Sequence, residues 1–303
     1  MNNIAKQIIL TAFALAILNT QDALAVVNLP DPTSTYDGLP VAVQYDDFVS
    51  YSTQLLTQFG FAGFNGAAGV GGLDVVLLTQ AGGIDNDPVS GGFTFEDPVD
   101  SVSGGCPGCS TFVGTWGAGN SDHGPVLVDD LLDYLHFNFG ANNNIPVFTF
   151  DMVEPGSDPN LDLLSNFVVY DPNTNSEIAS WSLDAINNGT FDPTAFITVN
   201  NHLEFTGTSL TEYSFTNTGS GKYDFLVYAP SMNLAIYAGQ GYEFHIFSQF
   251  KNIQGGGEEA FISGAITSPV GPNEDPNTPE PTTMGLVSLG LLAAGIRRFR
   301  KSK

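Results

Sequence analysis

In 303 residues, 32 acidic side chains stand against 8 basic ones, a net charge of −24, and five of the basic residues lie in the last seven positions. Phosphate backbones are held by clustered Lys and Arg, so this balance excludes a nucleic-acid partner and disfavours an anionic membrane surface. The 23 Phe residues and a charged fraction of only 13% place the chain outside the disordered class.

At the N-terminus Lys6 precedes the apolar run Ile8 to Leu18, and Ala23-Leu24-Ala25 puts small residues at −3 and −1 ahead of Val26. A charged start, an apolar stretch and a small-residue cleavage site make residues 1–25 a secretory signal peptide, set apart from the fold. Between it and residue 297 only Lys222 and Lys251 are basic, against 31 acidic residues, a net charge near −29. Such acidity serves solubility by self-repulsion, or binding of a hard divalent cation by carboxylate and carbonyl oxygens.

After Asp46-Asp47, the residues Phe48, Tyr51, Leu55 and Phe59 fall at helical spacing, with Gly60 as a stop. Leu73 to Thr79 is a β-rich run inside an otherwise Gly-rich stretch, 60–125. The acidic groupings Asp85/Asp87, Asp97/Asp100 and Asp151/Glu154/Asp158 read as loops and are candidates for Ca²⁺. Cys106 and Cys109 are the only cysteines, in a tight Cys-Pro-Gly-Cys loop after Gly104-Gly105. In an exported chain such a pair forms a disulfide. A redox pair would need a strand-to-helix setting, and zinc would need further ligands, for which the 13-residue spacing of His123 and His136 fits no common finger.

Trp116 lies between Gly114 and Gly117 and is the candidate for an exposed sugar-stacking ring, whereas Trp181 falls on the apolar face of a strand. Ser121-Asp122-His123 holds the residue types of a hydrolase triad, but consecutive residues cannot present them to one another. No Gly-x-Ser-x-Gly elbow occurs. Past Pro125, Val128, Leu131, Leu132 and Leu135 predict a second short helix ended by Gly140, with Asp129, Asp130 and Asp133 near its start.

The second half alternates with period two. Val147 to Phe150, Phe167 to Tyr170, Ala179-Trp181-Leu183, Tyr213-Phe215, Tyr223-Phe225-Val227 and Tyr242 to Lys251 are strands, separated by clusters of Asn, Asp, Gly and Ser. Asp171-Pro-Asn-Thr-Asn-Ser176 imitates a calcium loop at its first positions but lacks the Gly and the closing Glu, and a hairpin turn accounts for it better. The fold expected is all-β: an antiparallel, jelly-roll-like β-sandwich over residues 26–270 with one or two short helices.

Residues 271–283 form a Pro/Asn/Thr linker that contains Pro279-Glu280-Pro281, and the apolar run Met284 to Ile296 follows it. Thirteen residues make roughly 20 Å of helix against a hydrocarbon core about 30 Å thick. The basic tail 297–303, opening with Arg297 and Arg298, would hold the C-terminus on the cytoplasmic side. A weak span with a Pro-rich approach and a basic stop reads as a processing signal, with a plain single-span anchor as the alternative. Triplet, short apolar helix and basic tail together resemble the PEP-CTERM sorting signal of Gram-negative bacteria. The resemblance covers residues 279–303. It implies transient anchoring in the inner membrane through the C-terminal helix, cleavage near the triplet by an exosortase, and delivery to the cell surface or extracellular matrix.

Three functional expectations follow. The first is a structural or adhesive component of the envelope or a biofilm-type matrix, with a matrix polysaccharide as a candidate partner and no enzymatic activity. The second is a carbohydrate- or calcium-binding surface module. The third is a secreted hydrolase, which would need two carboxylates about 5–10 Å apart in a cleft.

Overall fold

The run Glu243–Lys251 buries every second residue: Phe244, Ile246, Ser248 and Phe250 point inward, while Glu243, His245, Phe247, Gln249 and Lys251 stay partly exposed. A strand does this when one of its faces packs on a core. The computed structural model describes residues 29–36, 39–58, 73–79, 93, 111–118, 125–151, 161–199, 224–253 and 257–266.

The first half of the chain supplies β1 (Thr35–Tyr36), β2 (Leu39–Pro40), β3 (Val43–Tyr45), β4 (Phe48–Ser52), the short helix α1 (Thr53–Gln58), β5 (Leu73–Thr79), β6 (Thr111–Trp116) and α2 (Val128–Phe139). The second half supplies β7 (Ile145–Asp151), β8 (Leu161–Asp171), β9 (Ser176–Leu183), β10 (Ile197–Val199) and β11 (Phe225–Tyr228). A 3₁₀ turn (Leu234–Tyr237), β12 (Glu243–Lys251) and β13 (Gly257–Ile266) complete it.

Two antiparallel sheets result. One has the strand order β3-β4-β11-β7-β13-β5. In the other, β8 is flanked by β12, which is followed by β6, while β9 and β10 pair with successive parts of its opposite side. β1 and β2 form a separate two-stranded ribbon. The chain is therefore mostly β, as its alternation and turn clusters predict.

The two sheets share one core. Phe48 and Phe148 from the six-stranded sheet close on Phe167 of β8, with ring centroids 4.7 and 4.6 Å away. Trp116, Phe244, Ile246 and Phe250 continue that core from the five-stranded sheet, and Phe225, Val227 and Ile262 from the six-stranded one. The six-stranded sheet is also covered on its second face: Val49, Tyr51, Val147, Leu226 and Tyr228 pack with Leu29, Val41 and Leu56. That is why all of β7 and β11 is buried, where simple alternation predicts half-buried strands.

Around Asp46-Asp47 the structure corrects the sequence reading. Residues 48–52 are strand, and helix begins only at Thr53. Tyr45 pairs with Phe48 across the two-residue turn Asp46-Asp47, in which Asp46 takes the left-handed φ of 50° that Asp tolerates. Phe48 then faces the inter-sheet core while Val49 and Tyr51 face the other side. The spacing of Phe48, Tyr51 and Leu55 suits a helix equally well, and the turn decides against it.

The second predicted helix is present as α2. It buries Val128, Leu131, Leu132, Tyr134, Leu135 and Phe139, and Gly140 caps it with φ 102° and an N–H donated to the His136 carbonyl. Tyr134 donates its hydroxyl to the Ile262 carbonyl at 3.2 Å, fixing the helix to β13. The Asp171–Ser176 segment is the β8–β9 hairpin turn. Asp171 accepts the Asn173 N–H at 2.8 Å and the Thr174 hydroxyl at 2.7 Å, so its oxygens serve the turn itself.

Gly117 ends β6 with φ 81°, and a Cβ there would sit 2.2 Å from the Phe244 carbonyl oxygen. Backbone conformation and space both forbid a side chain. Gly117→Ala is expected to destabilise the protein by more than about 1 kcal/mol, read as a lowered midpoint in urea with an unchanged slope.

Candidate functional site

The residues singled out in the sequence divide sharply. The signal-cleavage residues Ala23 and Ala25, the pair Cys106/Cys109, the candidate cation ligands Asp85, Asp87, Asp97 and Asp100, and the triplet Pro279-Glu280-Pro281 with Arg297 and Arg298 all lie outside the described residues. Trp116 lies inside them, and its expected exposure is corrected. It is only 1% exposed, pointing into the inter-sheet core beside Val126 and Phe244. The flanking glycines reflect the turn at Gly117, not an open ring face. Trp181 is buried as expected and donates its indole N–H to the Ser231 hydroxyl at 3.0 Å. His136 pairs with the Asn144 side chain at 2.9 Å. Asp151, read as part of a loop, is the last residue of β7 and is buried.

That position of Asp151 brings three carboxylates together. Asp151 lies opposite Glu259 across the β7–β13 ladder, and on the far side of β13 Asp74 lies opposite Phe261. All three are on the sheet face turned away from the five-stranded sheet. Asp74 and Asp151 are 3% and 2% exposed, which leaves no room for a polymer to reach them. Burial raises the Glu259 carboxyl, the neighbouring Asp74 charge and hydrogen bond raise it further, and Asp151 adds to the effect, bringing it to about 9. Glu259 therefore keeps its proton at neutral pH and shares it with Asp74. Among the described residues no three His, Cys, Asp or Glu side chains are arranged to hold a metal ion. Sequence reasoning passed over this cluster, although Asp74 inside Leu73-Asp74-Val75-Val76 and Glu258-Glu259 ahead of Ala260-Phe261-Ile262 set carboxylates in apolar runs.

The second surface is the outer face of the five-stranded sheet. Along β12 it presents Glu243, His245, Phe247, Gln249 and Lys251, each partly exposed. Tyr170 of β8 stacks on His245 at 5.1 Å, and His245 Nε2 meets Glu243 Oε2 at 2.8 Å. Phe191 meets Phe247 edge-on at 5.9 Å, and the Lys251 ammonium sits 3.5 Å over the Phe196 ring. The 184–196 loop thus covers one end of this face, while Ile178 and Val113, 41% and 56% exposed, mark its open margins.

Residues 277–301 match the family model described as the PEP-CTERM protein-sorting motif. The chain ends in a PEP-CTERM signal. That match bears out the resemblance drawn from Pro279-Glu280-Pro281 and the basic end. A PEP-CTERM motif implies export, processing by an exosortase and sorting to the cell envelope. Comparison with curated proteins and with solved structures finds no match for the chain. Among the described residues no helix is long and apolar enough to cross a membrane, and the apolar run 284–296 lies outside them.

The proton on Glu259 makes a pH prediction. Between the ordinary value of 4.5 and about 9 the folded chain holds a proton that the unfolded chain has released. Folded stability on this group's account is therefore full in acid, falls as pH rises through that window, and levels off above it. Glu259→Gln, neutral at every pH, should remove the slope. Its melting temperature relative to the unsubstituted protein should rise steadily from pH 5 to pH 9, by about 2–4 °C per kcal/mol relieved. Parallel melting profiles across that range would show that Glu259 ionises normally.

Proposed function

We propose that this chain is a structural or adhesive protein of the cell surface or extracellular matrix. Its signal peptide, residues 1–25, is removed on export. Residues 26–270 act as one β-sandwich of jelly-roll kind, and 271–283 are the linker that an exosortase cleaves near Pro281. The apolar helix 284–296 and basic tail 297–303 stay behind in the inner membrane. The observation that carries this reading is the PEP-CTERM motif at residues 277–301. The fold supports it: two antiparallel sheets over a shared aromatic core give a rigid body, and the acidic composition favours solubility.

Binding of a matrix polysaccharide is the form of adhesion that the outer face of the five-stranded sheet favours. Tyr170, His245, Phe247 and Gln249 set rings beside hydrogen-bonding groups on one side of two adjacent strands. The buried Trp116 contributes nothing to such a surface, and neither does the Asp171 loop, whose oxygens serve its own turn. Of the carboxylates that meet at Asp74, Asp151 and Glu259, burial keeps Asp74 and Asp151 from any polymer. A Ca²⁺ role for Asp85, Asp87, Asp97 and Asp100 and a Cys106–Cys109 disulfide belong to this proposal as sequence-based expectations.

Two measurements decide it. The intact mass of protein released from the surface should end close to Pro281; a mature form that still carries Arg297 to Lys303 would remove the sorting step. Deleting the gene should alter matrix retention or cell aggregation. A deletion strain with unchanged surface properties would remove the adhesive role and leave the sorting step standing.

A further inference from the structure

The loop that follows β9 contains Asn188-Gly189. An Asn before Gly is the sequence in which an amide side chain is lost most readily, because Gly has no Cβ to hinder the approach of its own backbone nitrogen. In that reaction the Gly nitrogen gives up its proton and bonds to the Asn Cγ, and the side-chain nitrogen leaves as ammonia. Water then opens the resulting succinimide at either carbonyl, giving an aspartyl or an isoaspartyl residue. No oxidant or metal takes part.

The fold holds the nitrogen that must attack and the oxygen of the carboxamide it would attack. Asp46 Oδ1 accepts the Gly189 N–H at 2.6 Å and the Asn188 N–H at 3.0 Å. Asn188 Oδ1 in turn accepts the Thr190 N–H at 2.8 Å, so the carboxamide is fixed as well. The backbone of Asp46 closes the contact from the other side by donating to Asn187 Oδ1 at 2.6 Å. Asp46 is 9% exposed and set in place by the turn between β3 and β4. We propose that Asn188 is a latent deamidation site and that Asp46 is the residue that keeps it unreacted.

Two physical effects act in the same direction. A carboxylate that accepts the Gly189 N–H stabilises the protonated nitrogen, since deprotonation would set an amide anion against a buried negative charge. The hydrogen bond also ties the Gly189 N–H to Asp46, and it must break before the nitrogen can attack Asn188 Cγ. The consequence of failure is local and irreversible. Reaction at Asn188 adds a carboxylate beside Asp46, and the isoaspartyl product adds a backbone carbon within the loop. Both changes oppose the two N–H bonds to Asp46. They fall where the six-stranded sheet meets the five-stranded one, next to the Asp47–Ser182 pairing, in which the two residues exchange bonds of 2.8 and 3.1 Å.

The test is the rate of ammonia loss at Asn188 in the full-length protein, incubated at mildly alkaline pH and mapped by peptide mass with isoaspartyl resolved. In the folded protein the rate should be at least about tenfold below that in urea, equal to about 1.36 kcal/mol in the barrier. Asp46→Asn, which keeps the shape and gives up the charge, should move the folded rate toward the urea rate, and Asp46→Ala should move it further. Equal rates in the folded and unfolded unsubstituted protein would overturn the proposal without any variant. So would a folded Asp46→Asn protein, judged by circular dichroism, that reacts no faster than the unsubstituted one.

Discussion

The contact on which the architecture depends is that of Phe48 and Phe148 with Phe167. These three rings come from three strands, two in one sheet and one in the other, and their centroids lie 4.6–6.4 Å apart. Offset and edge-on rings at that spacing are attractive beyond their buried area. Their position also explains a local conflict. Phe48 reaches the inter-sheet core only if residues 48–52 are extended, and extension requires the sharp turn at Asp46-Asp47. The left-handed φ of Asp46 is the cost of that turn. It is offset by the hydrogen bonds that Asp46 and Asp47 make to the 187–189 loop and to Ser182 of β9. One turn thus aims an aromatic anchor and joins the sheets.

How far this was legible in the sequence depends on what each signal measures. Period-two runs such as Tyr242 to Lys251 state which residues face a core, and β12 follows them residue by residue. The helix at 128–139 was equally plain, with four apolar residues at helical spacing and Gly140 behind it. The Phe48 to Leu55 stretch misled because β4 is buried on both faces and so shows no period-two alternation, and the deciding datum, a turn paired to a distant strand, is non-local. Trp116 misled for a related reason. Flanking glycines suggest openness, but here Gly117 is required by a backbone approach to Phe244, which needs β12 in place before it can be seen. The buried carboxylates at 74, 151 and 259 share a face only once β5, β13 and β7 are aligned. The sorting tail needed no tertiary structure, because it is read as a linear signal, and it was the clearest feature of all.

Acidity serves this chain in two opposite ways. Of its 32 acidic residues 22 are Asp, the shorter side chain that reaches nearby backbone N–H groups. Asp31, Asp171 and Asp192 each accept a backbone N–H two residues on and a Thr hydroxyl, and those bonds hold their carboxyls below the usual range. Asp184 accepts from both Ile186 and Asp192 in the same manner. Turns built this way favour the charged form, so what they contribute is present above the ordinary aspartate value and is lost as pH falls through the lowered one. Glu259 contributes in the reverse sense, being most favourable while protonated.

The two demands are compatible because they are separated in space. The Asp caps at 31, 171 and 192 sit in solvent-facing turns, where water screens their mutual repulsion, and each contributes little alone. The Glu259 cluster sits on a buried sheet face, where a second full charge would cost far more than a shared proton. Among the described residues the buried cluster therefore has more leverage than these exposed caps on how stability varies with pH near neutrality. The many exposed carboxylates set solubility and local turn geometry. Among the described residues the turn aspartates thus carry exposed charge, and Glu259, raised by its burial, by Asp74 and by Asp151, carries a pH response of opposite sign.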